Sequence, residues 1–224
     1  MIPSTAAIAP RYRVLIVDDH AIVRAGLRQM IDGDSAFLVI AEASTAAQAM
    51  HHLRSGDIDV MVLDIALPDR NGLELLKQIK PITPKLKVLV CSLHQERVYG
   101  LRALRSGAAG YISKQAMPIV ILNALHQIAA GKKYISSELA QQLAERIDDA
   151  QVELPHQRLS DREYQTFLKI AAGMTVTEIA AQLALSAKTI SMYRTRLLQK
   201  MRMRNNAELM QYAICHHLLP ELAT

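Results

Sequence analysis

Cysteine, aromatic residues and long apolar runs are all scarce in this sequence. Its 224 residues contain two cysteines, Cys91 and Cys215, too few for a disulfide scaffold or a cysteine-rich zinc site. No apolar run reaches the roughly 18 residues of a membrane-spanning helix, and the N-terminus lacks the pattern of a secretory signal. Tryptophan is absent and only 4% of the residues are aromatic, which disfavours a protein that stacks single-stranded bases. These absences favour an intracellular protein of one or two domains, whose 50% hydrophobic residues can fill a core.

The charge of the chain is unevenly distributed. Residues 156–224 carry nine lysine or arginine residues and five acidic residues, whereas the preceding part carries 17 basic and 16 acidic residues. A basic segment that follows a nearly neutral one indicates two modules with different partners.

Short apolar segments alternate with amphipathic stretches between Arg11 and Gly131. The apolar segments are typical of buried strands, and the recurrence of apolar residues every three or four positions between them is typical of helices. Five alternations predict an α/β fold in residues 11–131, with a five-stranded parallel sheet that is doubly wound by helices on both faces. The predicted strands are Arg13–Val17, Phe37–Ala41, Val60–Leu63, Val88–Cys91 and Gly110–Ile112.

The alternation stops after Gly131. Residues 132–157 are predicted to form a linker, which begins as a helix over Ser136–Ile147 and continues as a polar segment interrupted by Pro155. The pattern from Leu159 onward is entirely helical, which predicts a small all-α domain over residues 158–220. Its predicted helices are Asp161–Ala172, Val176–Leu183, Ala187–Met201 and Asn206–His217.

Charged and polar side chains stand where the predicted strands end. They are Asp18 and Asp19 after the first strand, Asp64 after the third, Ser92 after the fourth and Lys114 after the fifth. Because parallel strands bring their carboxyl ends to one edge of a sheet, we expect these groups to meet there. Clustered carboxylates suit Mg²⁺, and an aspartate beside Mg²⁺ and a lysine can attack a phosphoryl group. Each residue alone is also consistent with a loop, a turn or a helix cap, and the combination favours a reactive site.

The same residues resemble a known family. The motifs are Asp18–Asp19, the segment 63–72 (Leu-Asp-Ile-Ala-Leu-Pro-Asp-Arg-Asn-Gly), Ser92 and the segment 110–114 (Gly-Tyr-Ile-Ser-Lys). They are similar, in order and in position at the strand ends, to the motifs of the receiver domain of bacterial two-component response regulators. The resemblance implies a flavodoxin-like fold and a phosphoryl group accepted on Asp64 from a sensor histidine kinase.

The resemblance also implies a metal site and a switch around this aspartate. The Mg²⁺ ligands that it implies are Asp18 (through water), Asp19, Asp64 and the backbone carbonyl of Ala66. Lys114 would pair with the phosphoryl oxygens, and Ser92 would move to hydrogen-bond them. Tyr111 matches the switch aromatic residue that turns inward when the serine moves, and it is equally consistent with a partly buried aromatic residue at the sheet edge.

A helix-turn-helix is predicted in the basic module. Thr175 precedes Glu178 by three positions, which is the pattern of a capped helix, and the turn Ala184–Ser186 leads into the helix Ala187–Met201. Two helices joined by so short a turn are typical of a helix-turn-helix, whose second helix enters the DNA major groove. Its apolar residues, which we predict to face the core, are Ile190, Leu197, Leu198 and Met201. Charge and spacing alone also fit an ordinary helical bundle with a solvated basic face.

Five segments of this module resemble the LuxR-type helix-turn-helix. They are Leu159–Glu163, Ala172–Thr175, Glu178–Ala180, Leu185–Ile190 and Leu198–Met201. The resemblance implies that Ser191, Met192 and Thr195 face base edges. The phosphate contacts that it implies are Lys188, Thr189, Arg194 and Arg196.

Together the two modules resemble response regulators of the NarL/FixJ type. This implies a cytoplasmic, phosphorylation-controlled transcription regulator that binds double-stranded promoter DNA as a homodimer, without a membrane partner. We expect no metabolic enzyme activity, only acceptance of a phosphoryl group and its slow hydrolysis. The last predicted helix is the candidate dimer contact. Leu209 and Ala213 within it and Leu218 just after it are the apolar residues that could form this contact, and they are also consistent with internal packing.

Two other classes of protein remain alternatives from the residues themselves. A phosphatase of small molecules would also use an acidic edge with Mg²⁺, but Ala66 stands where such enzymes usually carry a second acid. A DNA-binding protein that ignores phosphorylation could use the first module only as an interaction platform, although the complete set of acids, hydroxyl and amine argues against this.

Overall fold

The structure is a computed structural model that describes residues 11–148 and 154–219. These residues form two compact units, one made of residues 11–93 and 103–135 and the other of residues 94–102 and 136–219 without the gap. Within the described ranges, no helix is both long and apolar enough to cross a membrane. Residues 149–153 of the predicted linker and residue 220 of the predicted all-α domain lie outside the described residues.

The first unit is built on one parallel sheet. Its strands lie in the order β2-β1-β3-β4-β5, and every neighbouring pair is parallel. Their bounds are β1 (Tyr12–Val17), β2 (Phe37–Ala43), β3 (Val60–Leu63), β4 (Lys87–Ser92) and β5 (Gly110–Ser113). The prediction of a five-stranded parallel α/β fold is therefore confirmed, with strand ends that differ by at most two residues.

Helices follow the strands. They are α1 (Ala21–Asp32), α2 (Ala46–Ser55), α3 (Gly72–Ile79) and α5 (Pro118–Ala129) of the first unit, and α4 (Glu96–Arg105), whose residues up to Arg102 belong to the second unit. One core cluster joins α1 and α5 to alternate strand residues such as Ile16 and Val62. Leu15 and Leu63, which point to the opposite face because side chains alternate along a strand, are fully buried as well. Burial on both faces, at about 1.5–3 kcal/mol for each large aliphatic side chain, explains the continuous apolar strands.

The second unit is helical. Its elements beyond α4 are α6 (Ser137–Asp148), a short 3-10 helix (Pro155–Arg158), α7 (Asp161–Ala171), α8 (Val176–Gln182), α9 (Ala187–Met201) and α10 (Asn206–Cys215). The predicted helical start of the linker corresponds to α6, and the four predicted helices of the basic module correspond to α7–α10. Arg102 of α4 belongs to this unit, since its guanidinium group donates to the carbonyl of Leu159 and pairs with Asp161 at 3.2 Å.

The start of α7 is fixed by its own side chains. Ser160 accepts the backbone N–H of Glu163, and Glu163 accepts the N–H of Ser160, so two amides at the helix end are satisfied. Lys200 of α9 donates to the buried Glu163 carboxylate at 2.6 Å. Burial alone would raise the pKa of Glu163, but the bonds from Lys200 and Ser160 outweigh it and lower the pKa. The carboxylate therefore stays charged and holds α9 against α7.

Candidate functional site

The parallel strands bring the predicted polar groups to one edge of the sheet. Asp18 follows β1, Asp64 follows β3 and Lys114 follows β5, and backbone bonds continue the strand pairing at this edge. The amide of Asp64 donates to Val17, and the amide of Lys114 donates to Ser92. Distant parts of the sequence therefore meet at the place where ligands bind in open α/β sheets.

Lys114 bridges two buried carboxylates. Its Nζ lies 2.5 Å from Asp18 Oδ2 and 2.8 Å from Asp64 Oδ2, and all three side chains are at most 4% exposed. Burial alone would lower the pKa of Lys114, but the charge of Asp64 and the hydrogen bonds to both carboxylates outweigh burial and raise the pKa. The ammonium group is therefore held charged beside Asp64, where it can offset negative charge that develops there.

Asp19 and His20 complete an acidic cluster at the surface side of this bridge. One ligand atom from each of Asp18, Asp19, His20 and Asp64 lies within 4.8 Å of the others. The Nδ1 atom of His20 is 2.7 Å from Asp19, and its backbone N–H donates to Asp18 at 2.9 Å. Three carboxylates that converge in this way fit a hard divalent cation, which prefers oxygen ligands. His20 was not predicted as a site residue, although its position directly after Asp19 is a usable signal.

The loop between β3 and α3 carries Asp64 and Ala66 in a tight path. Ala66 forms a backbone bridge with Asn71, and the amide of Gly72 donates to the carbonyl of Ile65 at 2.8 Å. A Cβ atom on Gly72 would lie 2.0 Å from the carbonyl oxygen of Asp64, so only glycine fits here. The turn that ends the segment 63–72 is thus packed directly on the backbone of the central aspartate.

The remaining predicted residues of this edge are buried. Ser92 is 1% exposed and Tyr111 is fully buried, so the tyrosine lies inside rather than partly exposed at the sheet edge. Cys91, next to Ser92, is also buried, and burial raises the pKa of its thiol to about 12. This thiol stays protonated at neutral pH and is not a competing nucleophile.

The second unit contains a helix-turn-helix made of α8 and α9. Thr175 caps α8 through the amide of Glu178, and Ser186 caps α9 through the amide of Thr189. Between the helices Ala184 has a left-handed backbone with φ +51°, and the amide of Leu185 returns to the carbonyl of Ala180 at 2.9 Å. These bonds close α8 and start α9 within four residues.

One face of α9 is buried and the other is available for contacts. Ile190, Leu197 and Met201 are buried as predicted, whereas Leu198 is only partly buried. The predicted DNA contacts that are exposed are Lys188, Ser191, Met192, Thr195 and Arg196. The other two are partly buried: the hydroxyl of Thr189 is 2.8 Å from that of Ser186, and Arg194 donates from Nε to Asn206.

The apolar residues proposed for a dimer contact, two on α10 and one just after it, lie inside the unit. Leu209 and Ala213 are fully buried and Leu218 is 8% exposed, so internal packing accounts for all three. Met210 and Ile214, which are one helical turn apart, are 39% and 58% exposed instead. The exposed apolar face of α10 is therefore different from the one that the sequence suggested.

Comparison with known families identifies both parts of the chain. The profile of the response regulator receiver domain matches residues 14–126, and that of the bacterial regulatory proteins of the luxR family matches residues 157–213.

Curated relatives match the chain over nearly its whole length. The chain is 37% identical over 206 residues to the response regulator UvrY of Escherichia coli strain K12, covering 92% of this chain and 94% of UvrY. It is 34% identical over 208 residues to the response regulator GacA of Pseudomonas aeruginosa, with coverage of 92% and 97%. The structure of RcsB from Salmonella enterica serovar Typhimurium, bound to the promoter rprA in the presence of the phosphomimetic BeF3⁻, superposes with a TM-score of 0.62. The RcsB chain is 28% identical to this chain, and the match covers 91% of this chain and 98% of the RcsB chain.

The chain belongs to the NarL/FixJ family of response regulators, which join a receiver domain to a LuxR-type helix-turn-helix. Membership in this family makes it a two-component transcription regulator that is controlled by phosphorylation, rather than a metabolic enzyme.

Proposed function

We propose that Asp64 accepts a phosphoryl group from a sensor histidine kinase and that the modified protein binds promoter DNA through α9. The observation that carries the proposal is the placement of the Lys114 ammonium group 2.8 Å from Asp64 and 2.5 Å from Asp18, at the edge where the carboxylate of Asp19 also converges. A nucleophilic carboxylate beside a fixed cation is what phosphoryl transfer requires.

The chemistry follows from these groups. An oxygen of Asp64 attacks the phosphorus of the kinase phosphohistidine, the new P–O bond forms and the P–N bond breaks, leaving an acyl phosphate. Lys114 offsets the charge on the phosphoryl oxygens. Asp18, Asp19, Asp64 and the carbonyl of Ala66 would hold Mg²⁺, with Asp18 acting through water, and the bound ion would supply further charge stabilisation at those oxygens. Slow hydrolysis of the same acyl phosphate returns the protein to its starting state.

Ser92 and Tyr111 are the proposed switch. The phosphoryl group adds about −1.5 to −2 charge and strong acceptor oxygens at this edge. The Ser92 hydroxyl at the end of β4 can donate to these phosphoryl oxygens. The arrangement of Ser92 that makes this hydrogen bond is therefore stabilised relative to the arrangement that does not. Tyr111 is already fully buried in this structure and lies in β5, the strand that Lys114 follows.

The DNA interface is proposed on the exposed face of α9. Ser191, Met192 and Thr195 would read base edges, and Lys188, Thr189, Arg194 and Arg196 would contact phosphates. The helix-turn-helix and the RcsB complex with promoter DNA support this assignment. We propose a homodimer, because a two-fold protein matches two operator half-sites, and the cytoplasm as the place where kinase and DNA are both met.

The first test is the Asp64→Asn variant. With Mg²⁺ and a small phosphodonor, we expect the wild-type protein to gain the mass of one phosphoryl group and to bind DNA more tightly. Asp64→Asn should do neither, because it lacks the nucleophilic carboxylate. Intact mass and DNA binding at stated salt measure the two effects, and sedimentation of the same samples gives the oligomeric state.

Asp59→Asn is the matched control, since Asp59 accepts from Arg13 at 2.8 Å and stands before β3 rather than after it. If Asp64→Asn left the phosphodonor response, dimerisation and DNA affinity unchanged, the first module would be only an interaction platform. Robust turnover of small phosphate esters would instead favour a phosphatase.

The second test concerns α9. The Arg196→Ala variant removes an exposed cation, so we expect the log–log salt dependence of DNA binding to become shallower by about 0.9 while sequence preference is retained. Fluorescence anisotropy over a salt series gives the slope. The exposed Arg54 of α2 provides the same substitution away from α9, and an equal effect of Arg54→Ala would refute the assignment.

A further inference from the structure

Asp69 links the loop after β3 to the start of α2. Its carboxylate accepts the amide N–H of Ala46 at 2.9 Å and that of Ala47 at 3.0 Å. These are the first two amides of α2. They have no partner within the helix because the carbonyl groups four residues earlier lie outside it. A carboxylate at this position is also favoured by the helix dipole.

The third amide of α2 is satisfied by a different residue. Thr45, the residue before the helix, accepts the N–H of Gln48 through its own hydroxyl at 3.1 Å. The helix therefore has a local cap of its own. Asp69 adds a bond between two segments that lie 22 and 23 residues apart in sequence, so its effect reaches beyond the helix that it caps.

Asp69 lies in the same loop as the groups proposed to act in phosphoryl transfer. It follows Asp64 by five residues and Ala66 by three, and the loop is closed behind it by the Ala66–Asn71 bridge and the bond from Gly72 to Ile65. Because the loop is only a few residues long, a contact that fixes its tip on α2 also fixes the orientation of the peptide at Ala66. That peptide supplies the carbonyl oxygen of the proposed metal site.

We propose that Asp69 is a positioning residue for the phosphoacceptor site: by holding the loop against α2, it sets the affinity for Mg²⁺ and the rate of phosphorylation of Asp64. It acts through the backbone of the loop and contacts neither the metal nor the phosphoryl group. The inference rests on the proposed function, since it assigns a role within the same site.

The test compares Asp69→Ala with Thr45→Ala. Both variants remove hydrogen bonds at the start of α2, so both are expected to lower the thermal midpoint, but only Asp69→Ala frees the loop. We expect Asp69→Ala to weaken Mg²⁺ binding roughly tenfold, as loss of an outer support of a metal site does, and to slow phosphorylation by a small phosphodonor at fixed Mg²⁺. Thr45→Ala should keep the wild-type Mg²⁺ affinity. Calorimetric titration with Mg²⁺ alone, intact mass against time and thermal unfolding give the three readouts.

Asp69→Asn keeps one acceptor oxygen, so its Mg²⁺ affinity should lie between those of the wild type and Asp69→Ala. It replaces the alanine variant if the alanine variant does not fold. If Asp69→Ala, or Asp69→Asn in its place, binds Mg²⁺ as the wild type does, the inference is wrong. The inference is also wrong if Thr45→Ala and Asp69→Ala lose Mg²⁺ affinity in the same proportion to their losses of stability, because Asp69 would then act only as a helix cap. A wild-type protein that neither binds Mg²⁺ nor gains a phosphoryl group overturns the proposed function itself, and the inference with it.

Discussion

Lys114→Met should lower the free energy of unfolding by about 3 kcal/mol in metal-free buffer, because it leaves two buried carboxylates facing each other without a cation. Methionine keeps the length and apolar stem of the side chain, so the loss reports on charge rather than on packing. Added Mg²⁺ should recover part of the loss, since an ion that binds only the folded state stabilises it. Denaturant unfolding with and without Mg²⁺ measures both effects.

The pH dependence of this loss has a defined sign. The pKa of Lys114 is raised in the folded protein, so its contribution is complete below the ordinary lysine pKa and disappears as the pH rises through the raised value. The difference between wild type and variant should therefore be full at neutral pH and shrink in strongly alkaline buffer. Lys132→Met, at an exposed lysine of the same unit, is the control and should change little. Equal stability of the Lys114 variant and the wild type without metal would contradict the bridge.

Gly72→Ala should be the most damaging single methyl group in the first unit. The added carbon would meet the carbonyl oxygen of Asp64 at 2.0 Å and the Cα of Ile65 at 2.9 Å, both of them backbone atoms that cannot rotate away. We expect the free energy of unfolding to fall by about 3 kcal/mol, the upper part of the range for overpacking, and phosphorylation of Asp64 to be lost with it. Denaturant unfolding and intact mass after phosphodonor treatment are the measurements.

Gly26→Ala provides the opposite result in the same unit. Gly26 lies within α1, and a Cβ there would meet no atom within 4 Å. Because alanine favours a helix over glycine, this variant should gain about 0.5–1 kcal/mol and still be phosphorylated. A Gly72→Ala protein as stable and as reactive as Gly26→Ala would show that the loop is not packed as described.

The strand ends show why the site could be predicted from the sequence. Polar residues that directly follow buried strands need only the rule that parallel strands end at one edge, and that rule places Asp18, Asp64 and Lys114 together. The rule says nothing about distances, so the double contact of Lys114 with both carboxylates was not predictable. The link from Asp69 to α2 was hidden for the same reason, because it depends on how two loops meet in space.

The differences at element ends have local physical causes. The strand β2 was predicted to end at Ala41, but Glu42 and Ala43 still pair with β1, and Arg24 and Arg28 neutralise the glutamate. The helix α10 stops at Cys215 rather than His217, because His217 adopts a left-handed backbone with φ +51°. Hydrophobic periodicity does not report a salt bridge between a helix and a strand, or a single dihedral angle.

The partner of the apolar residues of α10 could not be predicted from the sequence. Leu209 and Ala213 lie on one stripe of α10 and Leu218 follows the helix, but periodicity cannot tell whether such a stripe faces the core or a second copy of the chain. The burial of these residues shows that they pack inside the unit. Met210 and Ile214 could be recognised as exposed only once the buried face of α10 was known.

The unequal burial of the two thiols gives this protein a chemical handle. Cys91 is buried and protonated, whereas Cys215 at the end of α10 is exposed, so a maleimide dye will attach to the helix-turn-helix unit and leave the sheet unmodified. Because the sequence also contains no tryptophan, an indole introduced near Asp64 would be the sole fluorescent residue of its kind. The two probes together would allow events at the acidic edge and motions of α10 to be followed in one sample.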